Sequence, residues 1–387
     1  MPRTVGPAQR ALVAPTADMW LVGGASLLAF ALCYALTGGA FQQDTADGVP
    51  LWVFYASAYY ASFACNYPHF LYSYMLFYPS LFKRLSAPDT TAVSKIRLII
   101  AGFLVPALMI VYFVCAWHLR NPRYLSWAVS AMFFSVGWHY VKQGYGSLIT
   151  LSLYENIFYS VWEKRLLNVN AYVVWVSTYI AARAHPFTGN YFDLSYTTLA
   201  FPSRLIQCAY LLSYLTTGGV ISLLLKRRLY DKKGISFSGV LGYVAAIYMW
   251  VVQPFGTLAF IVFIPFFHSL QYLPFVYKYK KSEALQRFIG GQDHSSASMS
   301  RTDDGAQKVQ LRIAASIIGF AVGGIILGAV FFEWLPKYMD AAIRIHGVDE
   351  QFFLISFIVF INIHHFFIDN AFWRKDNSDV QRYLFQA

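Results

Sequence analysis

The stretch Ile361-Asn362-Ile363-His364-His365-Phe366-Phe367-Ile368-Asp369 places two histidines and an aspartate inside the last strongly apolar segment of the chain. Ionisable side chains inside a membrane span are costly, usually face the interior of a helix bundle and often mark a functional site. On a helix, His365 and Asp369 share one face, whereas His364 points about 100° away. Asp369 is therefore predicted either to bind a metal ion or to orient the imidazole of His365.

The composition of the chain is that of a helical membrane protein. Of its 387 residues, 57% are hydrophobic and 13% are charged, whereas soluble domains typically have about 25% charged residues. Apolar runs of about 20 residues, the length that crosses a bilayer as a helix, recur along almost the whole chain. We predict an all-α, polytopic transmembrane bundle that forms one integral-membrane domain over residues 1–387.

Basic residues cluster in the loops between the apolar runs, which accounts for the net charge of +11. This is the positive-inside pattern, so it predicts that both termini are cytoplasmic and argues against a nucleic-acid partner. The first apolar run is interpreted as a transmembrane helix and not as a cleaved signal peptide, because many further spans follow it. The ten predicted spans are 17–38, 51–80, 97–118, 124–150, 166–183, 204–225, 236–253, 256–277, 311–333 and 351–373.

Three features lie outside this pattern of spans. The polar segment 282–310, with Gly290, Gly291 and a serine-rich stretch, predicts a flexible cytoplasmic loop. The outer loop 184–202 is predicted to fold over the outer face of the bundle. The four cysteines are isolated and form no CxxC pair, so they are predicted to be packing thiols and not zinc or redox ligands.

Four spans that run in the same predicted direction carry histidines at similar depth. Each histidine lies roughly 20–25 Å from the outer end of its span, at the rise of an α-helix. The agreement between four separate segments predicts one shared metal site. Its predicted ligands are His69, His139, His268, His364 and His365.

Each of these spans also carries a carboxamide or carboxylate one helical turn from its histidine. The pairs are Asn66 with His69, Gln143 with His139, Gln271 with His268, and Asp369 with His365. Metal-bound imidazoles usually donate their second N–H to such an oxygen, which orients the ring. The alternative is that each polar residue only satisfies its neighbour, or that a histidine bonds a tyrosine on another helix.

Five imidazoles with Asp369 favour a non-haem iron centre of one or two ions, since mixed imidazole and carboxylate donors suit iron. A closed structural zinc site needs only four ligands, so the surplus indicates catalysis, although zinc remains the alternative metal. His364 and His365 cannot easily face one point on a regular helix. Two metals, a distorted helix, or one ligand with one hydrogen-bonding partner remain open.

Lys142 lies in the fourth span, one turn from His139 and beside Gln143. Its ammonium is predicted either to reach the membrane interface along its flexible stem or to bind an acidic head group or a substrate carboxylate. With Asp369 and Gln143, it completes the predicted catalytic residues.

Histidines that converge within a multi-span membrane protein resemble two oxygen-using groups. One is the membrane fatty-acid desaturases and hydroxylases, whose HxxxH and HxxHH boxes are absent here. The other is the bacterial β-carotene dioxygenases of the Brp/Blh type, which are polytopic, use histidine-held iron and have isolated intramembrane histidines. The resemblance covers the architecture and the distribution of histidines, and it implies dioxygen chemistry on a lipophilic substrate.

We therefore expect an iron oxygenase of a bacterial inner membrane that acts on a carotenoid or fatty-acyl lipid among the membrane lipids. No flavin, nicotinamide or iron–sulfur motif is visible, so electrons come from an external donor or are not needed. The first alternative is a zinc-dependent lipid hydrolase resembling the ceramidases. The others are an acyltransferase built around Trp138 and His139, a proton-coupled transporter, and a haem protein.

Overall fold

The structure is a computed structural model that describes residues 11–36, 51–183, 188–192, 194–197, 200–251, 258–289, 303–343 and 350–385. It is 85% helical with almost no strand, which confirms the all-α prediction. The elements are α1 (Pro15–Leu36), α2 (51–86), α3 (Ala92–Leu119), α4 (Arg123–Tyr154), α5 (Val161–Ala181), β1 (Thr188–Tyr191), β2 (Leu194–Thr197), α6 (Ser203–Tyr230), α7 (Phe237–Met249), α8 (Leu258–Ile261), α9 (Ile264–Ile289), α10 (303–342), α11 (Phe352–Phe372) and α12 (378–385).

Five described helices are long and apolar enough to cross a membrane, fewer than the ten predicted spans. They are α1, α3, α6, most of α10, and α11. The helices α2, α4 and α9 are long, but their histidine, tyrosine, serine and glutamine residues make them more polar. Helix α7 spans residues 237–249, or about 20 Å, which is short of a hydrocarbon core of about 30 Å.

The first predicted loop is shorter in the structure, and the second contains a hairpin. Helix α9 continues to Ile289 and α10 begins at Asp303, so the predicted loop 282–310 was too wide, and residues 290–302 lie outside the described residues. In the outer loop, β1 and β2 pair as an antiparallel hairpin. The hairpin packs on α4, where the ring of Phe133 lies 5.5 Å from that of Tyr191 and 5.6 Å from that of Tyr196.

Helix α11 lies at the centre of the bundle, where most of its residues are buried. This position suits its sequence, which has apolar residues on all faces. The helix contacts α2, α3, α4 and α10. A helix that is hydrophobic all round is stable only when it is surrounded by other helices or by lipid. The stretch that contains His364, His365 and Asp369 therefore faces neighbouring helices on every side.

Glycines allow two helices to approach α7 closely, which fixes the position of α4 relative to the site. A Cβ on Gly144 of α4 would lie 2.5 Å from the Cβ of Ala246. A Cβ on Gly242 of α7 would lie 2.5 Å from the Val22 side chain of α1. Small residues at such crossings are typical of membrane helix pairs, since they let the backbones touch.

Candidate metal centre

Four of the five predicted histidines converge in the core of the bundle. One ring nitrogen from each of His69, His139, His268 and His365 lies within 4.8 Å of the other three. Their side chains are buried, with exposed fractions between 0% and 5%. They come from α2, α4, α9 and α11, which are far apart in sequence. This group, called the four-histidine cluster below, could hold a metal ion.

The distances within the cluster suit metal coordination. Metal–nitrogen bonds of about 2.1 Å place tetrahedral nitrogens about 3.4 Å apart. The Nε2 atoms of His139 and His365 lie 3.3 Å apart. The ring of His69 is centred 4.5 Å from that of His365 and 4.9 Å from that of His268. The four rings are thus close enough for their nitrogens to close around one ion.

Several nitrogens of the cluster have no hydrogen-bond partner among the described residues. They are Nε2 of His69, both ring nitrogens of His268, and Nδ1 of His365. A buried polar atom without a partner costs roughly 1–3 kcal/mol, and native proteins contain few of them. A bound metal would satisfy the Nε2 of His69 and one nitrogen of His268. The residues present therefore fit a transition-metal ion.

Asp369 lies beside the cluster, on the face of α11 that it shares with His365. Its Oδ2 is 3.4 Å from Nε2 of His365 and 4.0 Å from Nε2 of His139. These are the two nitrogens that meet inside the cluster. A carboxylate that only orients a ligand imidazole binds the opposite ring nitrogen. Asp369 is therefore not placed to orient His365 through the opposite ring nitrogen; its Oδ2 lies on the side of the ring that faces the cluster.

Three side chains that sequence analysis did not identify hold Asp369 in place. Ser73 donates to its Oδ1 at 2.6 Å and accepts from the Tyr272 hydroxyl at 2.7 Å, and that hydroxyl also lies 3.5 Å from the same Oδ1. The indole N–H of Trp373 donates to the Tyr272 hydroxyl at 3.1 Å. Helical spacing could have indicated two of them. Tyr272 lies four residues after His268, and Trp373 lies four residues after Asp369, so each shares a helix face with that residue.

His364 was predicted as a ligand, but it lies outside the cluster. Its Nδ1 is 2.9 Å from the hydroxyl of Tyr74, and its Nε2 is 2.8 Å from the backbone oxygen of Ala101. Because α11 is a regular helix here, consecutive residues point about 100° apart. His365 faces the cluster, so His364 faces α2 and α3. Of the options left open for this pair, the structure has one ring in the cluster and one hydrogen-bonding partner.

Two of the predicted imidazole partners join helices instead of binding rings. Gln143 donates to the backbone oxygen of His268 at 2.8 Å and to the side-chain oxygen of Gln271 at 3.0 Å. Gln271 donates to the backbone oxygen of Val22 at 2.6 Å. These two residues therefore fix α4 and α9 against each other and against α1.

His69 is oriented by α9 and by its own preceding turn. Its Nδ1 lies 3.1 Å from the hydroxyl of Ser269 and 3.3 Å from the backbone oxygen of Asn66. The side chain of Asn66 accepts from Ser269 at 3.1 Å instead of contacting the ring. Ser269 therefore performs part of the role that was predicted for Asn66, and Nε2 of His69 is left to face the cluster.

Lys142 is held by α11 and is not part of the four-histidine cluster. Its ammonium donates to the side-chain oxygen of Asn370 and lies 5.1 Å from the centre of the Trp138 ring. Trp138 lies one turn earlier on α4, and Asn370 lies on α11, so the side chain is fixed within the bundle. Its catalytic role stays a prediction.

Among the residues that the structure describes, one further histidine lies away from this site. His118 is exposed at the end of α3, and His185, His294 and His346 lie outside the described residues. No family model, no curated protein and no solved structure matches the chain. Function is therefore inferred from the four-histidine cluster and its surroundings.

Proposed function

We propose that the protein is an integral-membrane non-haem iron oxygenase that acts on a lipophilic substrate such as a carotenoid or a fatty-acyl lipid. The observation that carries the proposal is the set of four buried imidazoles from four helices, with the Asp369 carboxylate beside them. Imidazole and carboxylate donors together suit iron. Iron bound here would supply the activation of dioxygen, which no protein side chain can perform.

The chain itself supplies a dry and rigid surrounding. Phe70 packs on His365 with ring centres 4.8 Å apart, and Phe366 stacks on His139 at 4.6 Å. Both phenylalanines are buried. Apolar walls exclude water, which strengthens electrostatic interactions in the site and prevents side reactions of reactive species. A lipophilic substrate is also the kind that can enter such a site from the membrane.

Two of the alternative functions are less compatible with this geometry. A haem group held by one or two of these imidazoles would need its wide ring to occupy the space where the remaining imidazoles of the cluster lie. An acyltransferase built on His139 would need that imidazole as a free base, yet its Nε2 meets the Nε2 of His365 at 3.3 Å. Zinc remains the second candidate, because the same 3.3 Å separation suits tetrahedral zinc.

We further propose that the predicted spans cross a bacterial inner membrane, with the short helix α7 crossing only part of it, and that both termini are cytoplasmic. The basic residues between the helices support this orientation through the positive-inside rule. The more polar helices α2, α4 and α9 would cross the bilayer with their histidines directed to the bundle interior, where polar residues in membrane proteins usually lie.

The test is elemental analysis of detergent-purified protein beside the double variant His139→Ala, His365→Ala. We expect iron at about one ion per chain and its loss from the double variant. The variant His118→Ala serves as a matched control, since this histidine lies at the exposed end of α3 and should not affect the metal content. Oxygen uptake with candidate carotenoids and fatty-acyl lipids would then identify the substrate class.

Each other outcome contradicts the oxygenase proposal. Stoichiometric zinc in place of iron, lost in the same double variant, would favour the lipid hydrolase. Protein without any transition metal would indicate that the imidazoles form a hydrogen-bond or proton network, and transport assays would then replace oxygen uptake.

A further inference from the structure

A row of aromatic rings leads from the four-histidine cluster to the end of the bundle where α9 and α12 meet. The ring of Tyr272 is centred 4.9 Å from that of His69. Trp373 follows at 5.6 Å from Tyr272, Tyr279 at 6.0 Å from Trp373, and Tyr383 at 5.1 Å from Tyr279. Each ring therefore touches the next, without a gap filled by aliphatic side chains.

The chemistry of these rings suits single-electron transfer. Phenols and indoles are the side chains that lose one electron most readily, and contact between successive rings allows the electron vacancy to move by short steps. The first step also has a path for its proton, because the Tyr272 hydroxyl donates to Ser73 at 2.7 Å and Ser73 donates to Oδ1 of Asp369 at 2.6 Å. Tyr272 and Tyr279 are buried, with 3% and 4% exposed, whereas Trp373 and Tyr383 are half-buried.

The last ring of the row lines a basic recess of about 320 Å³. Its other lining residues include Lys280, Arg287 and Arg382, against the single carboxylate of Glu283, which pairs with Lys280. Two positive charges in excess favour a small anion. The recess is half open to the surface, so it would hold a small anion in a shallow site.

We propose that Tyr272, Trp373, Tyr279 and Tyr383 form a single-electron relay between the four-histidine cluster and this recess, where a small anionic one-electron donor binds. The inference rests on the proposed redox-active iron. A strongly oxidising metal centre that lacks substrate would otherwise damage its own histidine ligands. The relay gives that oxidising equivalent a path to a reductant at the surface.

Each step would move one electron, and each oxidised phenol would also release its proton. Tyr272 would give one electron to the bound metal, and its phenolic proton would pass through Ser73 to Asp369. Trp373 would then give one electron to the Tyr272 radical while that proton returns. Tyr279 would reduce Trp373, and Tyr383 would reduce Tyr279; each phenolic proton would move to a neighbouring carboxylate, Asp379 or Glu283, and return when the ring is reduced. The anionic donor would give one electron to Tyr383 and leave as its one-electron oxidised form. The net change is one electron moved from the donor to the metal.

The relay can be tested without enzymatic activity by injecting an electron vacancy at the recess. A ruthenium photo-oxidant is attached to Ser316→Cys, a recess residue, in full-length protein whose native cysteines are changed to serine. A laser flash with a quencher then oxidises Tyr383. We expect a transient tryptophan radical in the optical spectrum, which Trp373→Phe removes and Tyr279→Phe lowers about tenfold.

Tyr140→Phe is the matched control. Tyr140 also touches the cluster, with its ring 4.4 Å from that of His268, but within the described part of the chain its other aromatic contact is Trp250, which is only 1% exposed. The control should leave the radical unchanged. The relay would be overturned if Tyr279→Phe gave the same yield of tryptophan radical as the parent protein, or if the parent protein gave no tryptophan radical. Neither outcome depends on the metal, so failure here is separate from failure of the proposed function.

The recess is tested with ascorbate, a small anionic one-electron donor. We expect ascorbate to quench the Tyr383 radical with saturating kinetics, and the double variant Arg287→Ala, Arg382→Ala to slow the quenching at low concentration about tenfold. A neutral donor such as a hydroquinone should react equally with both proteins. Linear, variant-independent quenching by ascorbate would show that no donor site exists at this recess.

Discussion

His364 and His365 are adjacent in sequence, but they have different environments because the helix turns about 100° between them. His365 is fully buried within the four-histidine cluster. His364 is bonded through both ring nitrogens to Tyr74 and to the backbone of Ala101. One of the two imidazoles thus has a nitrogen available for metal and the other does not.

Replacement of these two residues should therefore have different effects on the metal. We expect His365→Ala to lose the metal. Its loss of metal affinity should exceed the roughly 10-fold to 100-fold that is typical when a residue hydrogen-bonded to a ligand is replaced. His364→Ala should keep a full complement, although it loses two hydrogen bonds and some stability. Metal content per chain after dialysis is the measurement. Equal loss in both variants would mean that His364 also binds the ion.

Among the helices, the close crossing of α4 over α7 depends in part on the absence of a side chain at Gly144. Gly144→Ala would bring a Cβ within 2.5 Å of the Cβ of Ala246 and force the helices apart. Overpacking of this kind costs about 1–3 kcal/mol, so the unfolding temperature should fall. Gly146→Ala is the control, since its Cβ would meet nothing within 4 Å. Similar unfolding temperatures for both variants would contradict the close crossing.

The N-terminus of α5 is tied to α6 by a buried ion pair. Glu163 accepts from Arg227 at 2.6 Å, with the arginine side chain only 2% exposed, and also from the backbone N–H of Ser160. Burial alone would raise the pKa of Glu163, but the hydrogen bonds from Ser160 and Arg227 outweigh it and lower the pKa below its usual 4.5. The carboxylate therefore stabilises the fold above that pH, and the stabilisation is lost as the pH falls through the lowered pKa.

Glu163→Gln should lower the free energy of unfolding at neutral pH by about 3 kcal/mol, because Arg227 would keep a buried charge without its partner. The difference from the parent protein should shrink as the pH drops below 4.5. Denaturant unfolding across this pH range is the measurement. Asp231→Asn, which removes an exposed pair with Lys233, should change stability by no more than about 0.5 kcal/mol. A pH-independent loss in Glu163→Gln would point to packing and not to charge.

The proposed metal joins four helices that are otherwise separate in sequence, so metal binding should stabilise the entire bundle. A ligand that binds only the folded state adds about 4 kcal/mol at a concentration 1,000 times its dissociation constant. Removal of the metal by a chelator should therefore lower the unfolding temperature of the parent protein. The double variant His139→Ala, His365→Ala should show no such change. A chelator effect of equal size in both proteins would exclude the cluster as its origin.

Much of the site can be inferred from residue types and spacing. Ionisable residues in apolar segments pointed to His69, His139, His268 and His365, and helical periodicity placed Asp369 on the same face as His365. The carboxamides could not be assigned in this way. Gln143 lies one turn from His139, yet it bonds α9, because an amide can reach either its own helix or a neighbour and spacing does not distinguish the two.

The all-α class, the apolar segments and the depth of the histidines follow from composition and periodicity, since these depend on local backbone geometry. Contacts between residues that are far apart in the sequence depend on how the helices pack. His365 and His139, for example, are 226 residues apart. The same packing places His364 against α3, Ser269 on His69, and Trp373 on Tyr272. Helix packing is set by the fit of many side chains and by glycines such as Gly144, and no single stretch of the chain contains that information.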